Sequence, residues 1–471
     1  MSKLKQLFKH TLIYGLATVL PRVLTLLLTR LYVDKLDREE FGIYSGLFVY
    51  LILGNVLLSY GMETAFFRFM NKKHDSGKVQ STALTSLFIS SLLFLVVAFS
   101  LRNQLATWLN YDVRFISYSI YILTLDALVV IPFAWLRHRG KSLWYAIIKI
   151  GNVTVNLLFN LFFFLVLESE VQKVSDGVNY IFISNFLASL LTFLALLPLY
   201  FRIRLRFSFP LWKEMLWYAV PVLVSGIAFA VNEGFDRVFL RMLLPADSAD
   251  ATIGVYSACY KMGVFMTLFV TAYKLGVEPF FFSKAKDKNA PQTYALITQY
   301  FTIFGAFILL FITVFVDIFK HILIPSAEYW EALWVVPVIL LANLCLGIYH
   351  SLSVWYKITD RTHFGAYVSV LGMAITVILN FLLIPLISYK GSALATLATY
   401  FVMMLVSFFF GQKKYPIPYN VKKISFYLAF SILASFLVFY VFDRNLYVGI
   451  IAILLYAGVV FLKERKRFSL C

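Results

Sequence analysis

Long apolar runs bounded by clusters of charge recur along the whole 471-residue chain. They predict helices over residues 11–33, 41–67, 81–101, 115–136, 143–167 and 178–201, and again over 213–243, 252–280, 293–318, 331–356, 363–387 and 391–411. Two more, at 424–442 and 446–462, bring the number to fourteen. Each is near or above the ~20 residues that cross a bilayer as a helix, so the expected fold is an all-α polytopic membrane protein. The first run follows a basic stretch from Ser2 to His10, is interrupted by Pro21 and Arg22, and lacks a small-x-small cleavage pattern. It reads as a first transmembrane helix, not a removable signal peptide.

Composition agrees with the pattern. Hydrophobic residues make up 61% of the chain and charged residues 14%, against about a quarter charged in soluble domains, and the mean hydropathy is +0.81. That excludes a water-soluble globular protein. The net charge of +18 would suggest nucleic acid in a soluble chain, but its distribution points elsewhere. Alternate loops, from Lys3, Lys5 and Lys9 through to Lys463, Arg465, Lys466 and Arg467, carry 27 basic residues. The intervening loops carry 8: Lys35, Arg38, Arg102, Arg114, Lys173, Lys320, Lys390 and Arg444. Lys and Arg are retained on the cytoplasmic side during insertion, so both termini are expected in the cytoplasm and no nucleic-acid partner is expected. Cys259, Cys345 and Cys471 offer no disulfide or zinc framework, and the histidines have no metal-ligand spacing.

An internal repeat divides the chain. Gly42, Tyr44 and Ser45 match Gly254, Tyr256 and Ser257, while Gly61, Glu63, Phe66 and Phe67 match Gly276, Glu278, Phe281 and Phe282. Trp135-Leu136-Arg137 corresponds to Trp355-Tyr356-Lys357, and Asn160 to Asn380. The expected organisation is a six-helix bundle over 1–205, a second over 206–412, and two additional helices with a basic tail over 413–471. Such repeats place a substrate site between halves near the bilayer midplane. The segment Arg202–Lys213 joins the halves and reads as a positive-inside loop or as a helix on the membrane surface.

Ionisable residues at bilayer depth cost about 2.5–3.5 kcal/mol each on insertion scales and are functional candidates for that reason. The basic set is Arg22, Arg30, Lys149, Arg237, Arg241, Lys261 and Lys274, and the acidic set Glu63, Asp126, Glu233, Asp236 and Glu278. Their slight positive excess suits an anionic guest. Arg22, beside the helix-kinking Pro21, either binds phosphate oxygens bidentately or pairs with Asp126. Glu233, Arg237 and Arg241 share one helical face at i, i+4 spacing, forming either a ladder for an anionic headgroup or an internal pair. Lys149 and Lys261 are further candidates, or lysines that snorkel. Glu63 and Glu278, at equivalent repeat positions, read as gate or packing residues paired with Arg68 or Lys274. His350 reads as a hydrogen-bonded structural histidine. Asp126, Glu233 and Asp236 are candidates for coupling. No ATP-binding loop or hydrolase motif is present in the sequence, and no cofactor or metal is expected.

The opening TLIYGLATVLPRVLTLLLTRLY, the GIYS at Gly42, GMETAFFRF at 61–69, and GVYS and GVEPFFF in the second half resemble the polysaccharide-biosynthesis transporters. These form the O-unit (Wzx-type) flippase branch of the multidrug/oligosaccharidyl-lipid/polysaccharide (MOP) exporter superfamily. The resemblance implies two six-helix bundles about a cation-rich cavity in a bacterial inner membrane. The substrate it implies is an undecaprenyl-diphosphate-linked oligosaccharide, a unit of O-antigen, capsule or exopolysaccharide, moved from the cytoplasmic to the periplasmic leaflet. Membrane lipids and a polysaccharide polymerase are the implied partners, and the two extra helices are expected to form a groove for the lipid tail. The energy source is expected to be H+ or Na+ coupling or the membrane potential. The competing expectations are a cation-coupled multidrug exporter of the same superfamily and, from another class, a membrane glycan polymerase, ligase or glycosyltransferase.

Overall fold

The computed structural model describes residues 3–71, 75–167, 177–202, 206–284, 287–359 and 361–468. The described residues contain helices and no strand. Fourteen helical stretches are long and apolar enough to cross a membrane. The first seven are Gly15–Lys35, Arg38–Met70, Ser76–Ser100, Val113–His138, Ser142–Val166, Gly177–Phe201 and Phe209–Gly234. The rest are Ala246–Glu278, Ala290–Val314, Ala327–Ile358, His363–Ile387, Tyr389–Lys414, Val421–Val441 and Leu446–Arg465. They are called the first to fourteenth spans below. Every predicted run has a counterpart here, with ends shifted by several residues.

By packing, the chain divides into two units, Met1–Val238 and Phe239–Cys471. The sequence repeat puts its junction at 205/206, so the seventh span, the opening helix of the second repeat, packs with the first unit. The reason is local. Met215 and Ala219 of that span are fully buried against Met62, Ala65 and Phe66 of the second span and Val79 and Ala83 of the third. Trp212 Nε1 donates to Ser86 Oγ at 2.7 Å, and the same oxygen lies 2.6 Å from the Tyr60 hydroxyl. Polar bonds of this kind join helices in a solvent that offers none. Among the described residues, Arg202–Lys213 makes no separate surface helix: residues 206–208 are non-helical and lead into the seventh span, while 203–205 lie outside the described residues.

The second span is broken where Tyr60 and Gly61 adopt left-handed backbone, φ 33° and 71°. A Cβ on Gly61 would meet the Ala219 carbonyl oxygen at 2.6 Å, so glycine answers both the dihedral and the close approach of the seventh span. Its repeat counterpart Gly276 lies in an unbroken helix, Val264–Lys284, with nothing within 4 Å of a Cβ. The eighth span instead breaks earlier, at the 3-10 turn Lys261–Gly263. Asp112 caps the fourth span, accepting from Arg114 N at 2.7 Å and from Arg114 Nη2 at 2.9 Å. The Arg114 hydrogen bond holds the Asp112 carboxyl below its ordinary pKa.

In the second unit the thirteenth and fourteenth spans are docked on the ninth. Ser431 Oγ donates to the Ala306 carbonyl at 2.5 Å and the Tyr456 hydroxyl to the Ile303 carbonyl at 2.9 Å. Glu464, fully buried, ties the two spans together through Lys423 Nζ at 2.5 Å and the Tyr427 hydroxyl at 2.9 Å. The repeat-related asparagines act alike: Asn160 Nδ2 donates to the Asn156 carbonyl at 2.8 Å and Asn380 Nδ2 to the Thr376 carbonyl at 2.7 Å, each four residues back.

Residues that face away from these contacts are apolar, as in Leu92, Leu93, Val96 and Val97 of the third span and Leu454, Leu455, Phe461 and Leu462 of the fourteenth. Exposed apolar bands of this extent fit hydrocarbon as the solvent.

The contrast at the repeated glycine gives a stability test. Gly61→Ala is expected to lower the thermal midpoint of the detergent-purified protein, the strained dihedral alone costing about 1–3 kcal/mol. Gly276→Ala is expected to leave it unchanged or slightly raised. Equal midpoints for the two variants would contradict the assigned backbone.

Candidate functional site

Within the first unit, four spans turn polar faces toward a cavity of about 460 Å³. The second contributes Asn55, Ser59 and Glu63, spaced at i, i+4, and the fourth contributes Asp126, Phe133 and Arg137. Tyr145, Lys149 and Asn152 come from the fifth, and Asn185, Ser189 and Thr192 from the sixth. Spacings of three and four place each group on one side of its helix, and Glu63, beyond the break at Tyr60 and Gly61, joins the same lining.

The lining is bonded across helices. The Asp126 carboxylate accepts from Ser189 Oγ at 2.8 Å and Asn55 Nδ2 at 3.3 Å, one from each flanking span. Asn152 Nδ2 donates to Thr192 Oγ1 at 2.9 Å. Arg137 Nη2 donates to Glu63 Oε1 at 2.6 Å, and its guanidinium lies 4.7 Å from the Phe67 ring. Lys149 reaches over the Phe133 ring, its Nζ 4.8 Å from the centroid. Two carboxylates and two cations leave the cavity formally neutral, surrounded by amides and hydroxyls able both to donate and to accept.

Three predicted residues therefore meet here: Glu63, Asp126 and Lys149. Three predicted pairings are corrected. Asp126 is held by Ser189 and Asn55 in place of Arg22, because its neighbours across the bundle are the second and sixth spans. Glu63 pairs with Arg137, not Arg68, whose guanidinium instead lies 4.0 Å from the Tyr218 ring. In the second unit Glu278 pairs with Lys357, where Lys274 was the expected partner. Lys274, Glu278, His350 and Lys357 do line one small cleft there. The repeat explains both: Glu63 and Glu278 are equivalent, and so are Arg137 and Lys357, so each bundle carries the same ion pair between equivalent spans.

The remaining candidates are not among the residues that line the first-unit cavity. Arg22 and Arg30 occupy exposed positions on the first span. The shared face expected for Glu233, Arg237 and Arg241 is interrupted, because the helix ends at Gly234 and restarts as Asp236–Leu243. Arg237 is buried and bonds Asp236 at 2.7 Å, and Arg241 pairs with Asp250. Lys261 starts the 3-10 turn of the eighth span and is half-buried. Among the described residues, no group of three or more His, Cys, Asp or Glu is placed to hold a metal ion.

Sequence reasoning missed Asn55, Ser59, Arg137, Asn152, Asn185, Ser189 and Thr192. A search for charge at depth passes over amides and hydroxyls, and Arg137 reads as a loop cation from its place at a span end. The available signal was the three-and-four spacing of polar residues inside apolar runs.

Among the described residues, fourteen helices able to cross a membrane, a polar cavity within one bundle and a duplicated ion pair define a polytopic α-helical membrane protein. The solved structure of the lipid II flippase MurJ in an inward closed conformation matches 96% of this chain and 99% of its own, at 14% identity and a TM-score of 0.74. An inward-facing multidrug resistance MATE family transporter matches 83% of this chain and 94% of its own, at 13% identity and a TM-score of 0.68. A MOP superfamily transporter from Pyrococcus furiosus, described by a binding pocket of reversed polarity, matches 86% of this chain and 95% of its own at 13% identity and a TM-score of 0.63. These likenesses show the fold. No curated protein matches the sequence. The family model described as "Polysaccharide biosynthesis protein" matches residues 7–283, and the chain belongs to that family.

The Glu63–Arg137 pair can be tested by exchange. Glu63→Arg and Arg137→Glu singly should each lower the thermal midpoint, while the double exchange restores part of the loss, with a coupling of up to about 1 kcal/mol. Strictly additive losses would show that the pair contributes no stabilising contact.

Proposed function

We propose that the protein is a flippase that carries an undecaprenyl-diphosphate-linked oligosaccharide, a repeat unit of O-antigen, capsule or exopolysaccharide, from the cytoplasmic to the periplasmic leaflet of a bacterial inner membrane. The observation that carries the reading is membership of the polysaccharide biosynthesis family. The extent of the structural likeness supports it: the lipid II flippase aligns with 96% of the chain, against 83% to 87% for the MATE transporters. The loop-charge asymmetry supports a cytoplasmic position for both termini.

The chemistry divides into three parts. A glycan must cross ~30 Å of hydrocarbon, and the neutral first-unit cavity, lined by Asn55, Asn152, Asn185, Ser189 and Thr192, offers paired donors and acceptors suited to sugar hydroxyls. Its ~460 Å³ lies in the ~300–1,000 Å³ range of small-molecule sites. The diphosphate needs cations, and Arg22 and Arg30, on exposed positions of the first span, are assigned to it, with Arg237, Arg241 and Lys261 as further contributors. The polyprenyl tail stays in lipid, with the thirteenth and fourteenth spans as its groove. Alternating access moves the site between leaflets, and no bond is made or broken.

A dianionic headgroup moving outward is driven by an inside-negative potential, which at 100 mV contributes about 2.3 kcal/mol per charge, enough to bias export. Carboxylate-linked antiport through Asp126, Glu233 or Asp236 is the other route, and full export by both Asp126→Asn and Glu233→Gln at normal abundance would exclude antiport through those two residues. A cation-coupled multidrug exporter is the second reading, favoured by the MATE-like fold and distinguished by the same depletion experiment.

That experiment reads the sidedness of the undecaprenyl-linked glycan pool in cells depleted of the protein, using a membrane-impermeant glycosidase on spheroplasts. Cytoplasm-facing intermediates should accumulate and be cleared by wild type and substantially by Arg22→Lys, but poorly by Arg22→Ala at equal abundance. An unchanged pool with normal accessibility would overturn the flippase reading and favour drug export.

A further inference from the structure

A second cavity of about 360 Å³ opens in the first unit, remote in character from the neutral one. Its residues come from span ends: Asp75 and Gln80 at the start of the third span, Trp135 and Arg139 at the end of the fourth, and Arg202 and Arg206 between the sixth and seventh. Three guanidiniums therefore meet one carboxylate. That carboxylate is engaged, with Asp75 Oδ1 accepting from Gly77 N at 2.9 Å to cap its helix. Arg139 stands over the Trp135 ring at 5.6 Å, and Arg206 is fixed through its backbone N–H, which donates to Ser81 Oγ at 2.6 Å. Among the described residues, no ion pair joins Arg139, Arg202 or Arg206 to a carboxylate, and all three are exposed.

Three cations against one carboxylate leave the hollow with a positive excess, and cations that converge in this way repel one another unless a further anion lies between them. Guanidinium groups match phosphate oxygens bidentately. The depth of the hollow narrows the source. Every residue in it lies within a few positions of a span end, at the level where headgroups lie, and Trp135 has the amphipathic ring that settles at that boundary. Leu199 adds an apolar side. A loop that is merely basic would spread its charges outward, whereas this one gathers three in a concave site beside an aromatic face.

We propose that this hollow is a phosphate-binding site for the headgroup of an anionic membrane lipid, held at the bilayer surface of the first unit and separate from the glycan cavity. It does not depend on the transport reading, since an anionic phospholipid and a polyprenyl diphosphate present the same chemistry to it.

The test uses the full chain in nanodiscs of phosphatidylcholine. Retained lipid is read by native mass spectrometry after titration with phosphatidylglycerol, polyprenyl diphosphate or inorganic pyrophosphate. Wild type should retain one or both lipids, and the triple variant Arg139→Gln, Arg202→Gln, Arg206→Gln should bind at least tenfold more weakly, with the triple lysine variant between them. The lipid that loses most binding identifies the natural headgroup. Lipid binding by the triple glutamine variant equal to wild type overturns the proposal, and so does pyrophosphate binding as tight as that of the lipids. The three side chains are exposed, so an unchanged melting profile checks that the variant is folded, and the three single variants, each expected to lose part of the affinity, repeat the test if it is not. None of these outcomes depends on glycan export, so failure here leaves the flippase reading to its own experiment.

Discussion

Hydrocarbon gives a polar group nothing to bond with, and that constraint orders everything else in this protein. A carboxylate, amide or hydroxyl inside a membrane-spanning helix must be bonded to another span or gathered with others where water can reach. Both solutions are used. Ser86 shared by Tyr60 and Trp212, and Glu464 held by Lys423 and Tyr427, are polar bonds that fasten one span to another. Around Asp126 the polar groups of four spans are collected instead, and the first unit encloses a cavity because of it.

The duplication shows which of these arrangements belong to the architecture. The same acid-to-base link, Glu63 with Arg137 and Glu278 with Lys357, was kept in both bundles, although arginine became lysine and the surrounding helix broke at Gly61 in one copy and at Lys261–Gly263 in the other. A tie retained while the backbone around it diverged is a property of the bundle. The offset of 220 that relates Arg137 to Lys357 puts Leu346 opposite Asp126, so the carboxylate of the first cavity has no counterpart at the equivalent position of the second bundle. The second unit has instead a small cleft lined by Lys274, Glu278, His350 and Lys357.

Much of the fold was legible in the sequence because hydrophobicity is averaged over about twenty residues per crossing, and an error of a few positions leaves the number of spans unchanged. The Glu63/Glu278 equivalence was legible for the same reason, as a match of several residues at once. Partners were not legible. Whether Glu63 meets Arg68 on its own helix or Arg137 on the fourth span depends on rotation and crossing angle, which periodicity does not encode. The grouping of the seventh span with the first unit was hidden likewise, since it rests on Met215, Ala219 and Trp212 fitting particular neighbours. The amide and hydroxyl lining escaped notice because Asn, Ser and Thr are common in membrane helices as packing residues, and only their convergence on one hollow distinguishes them.

The central claim is that water enters the first bundle at bilayer depth while its outer faces meet lipid. Thiol labelling measures this directly. Cys259 and Cys345 are buried, so with Cys471 replaced by serine, single cysteines at Asn152, Asn185 and Leu93 can be probed in membranes with a water-soluble maleimide. Reaction is expected at Asn152→Cys and Asn185→Cys and none at Leu93→Cys, where Leu93 is 62% exposed but faces outward from an apolar stripe. Reaction at Leu93→Cys with silence at the two cavity positions would contradict that claim.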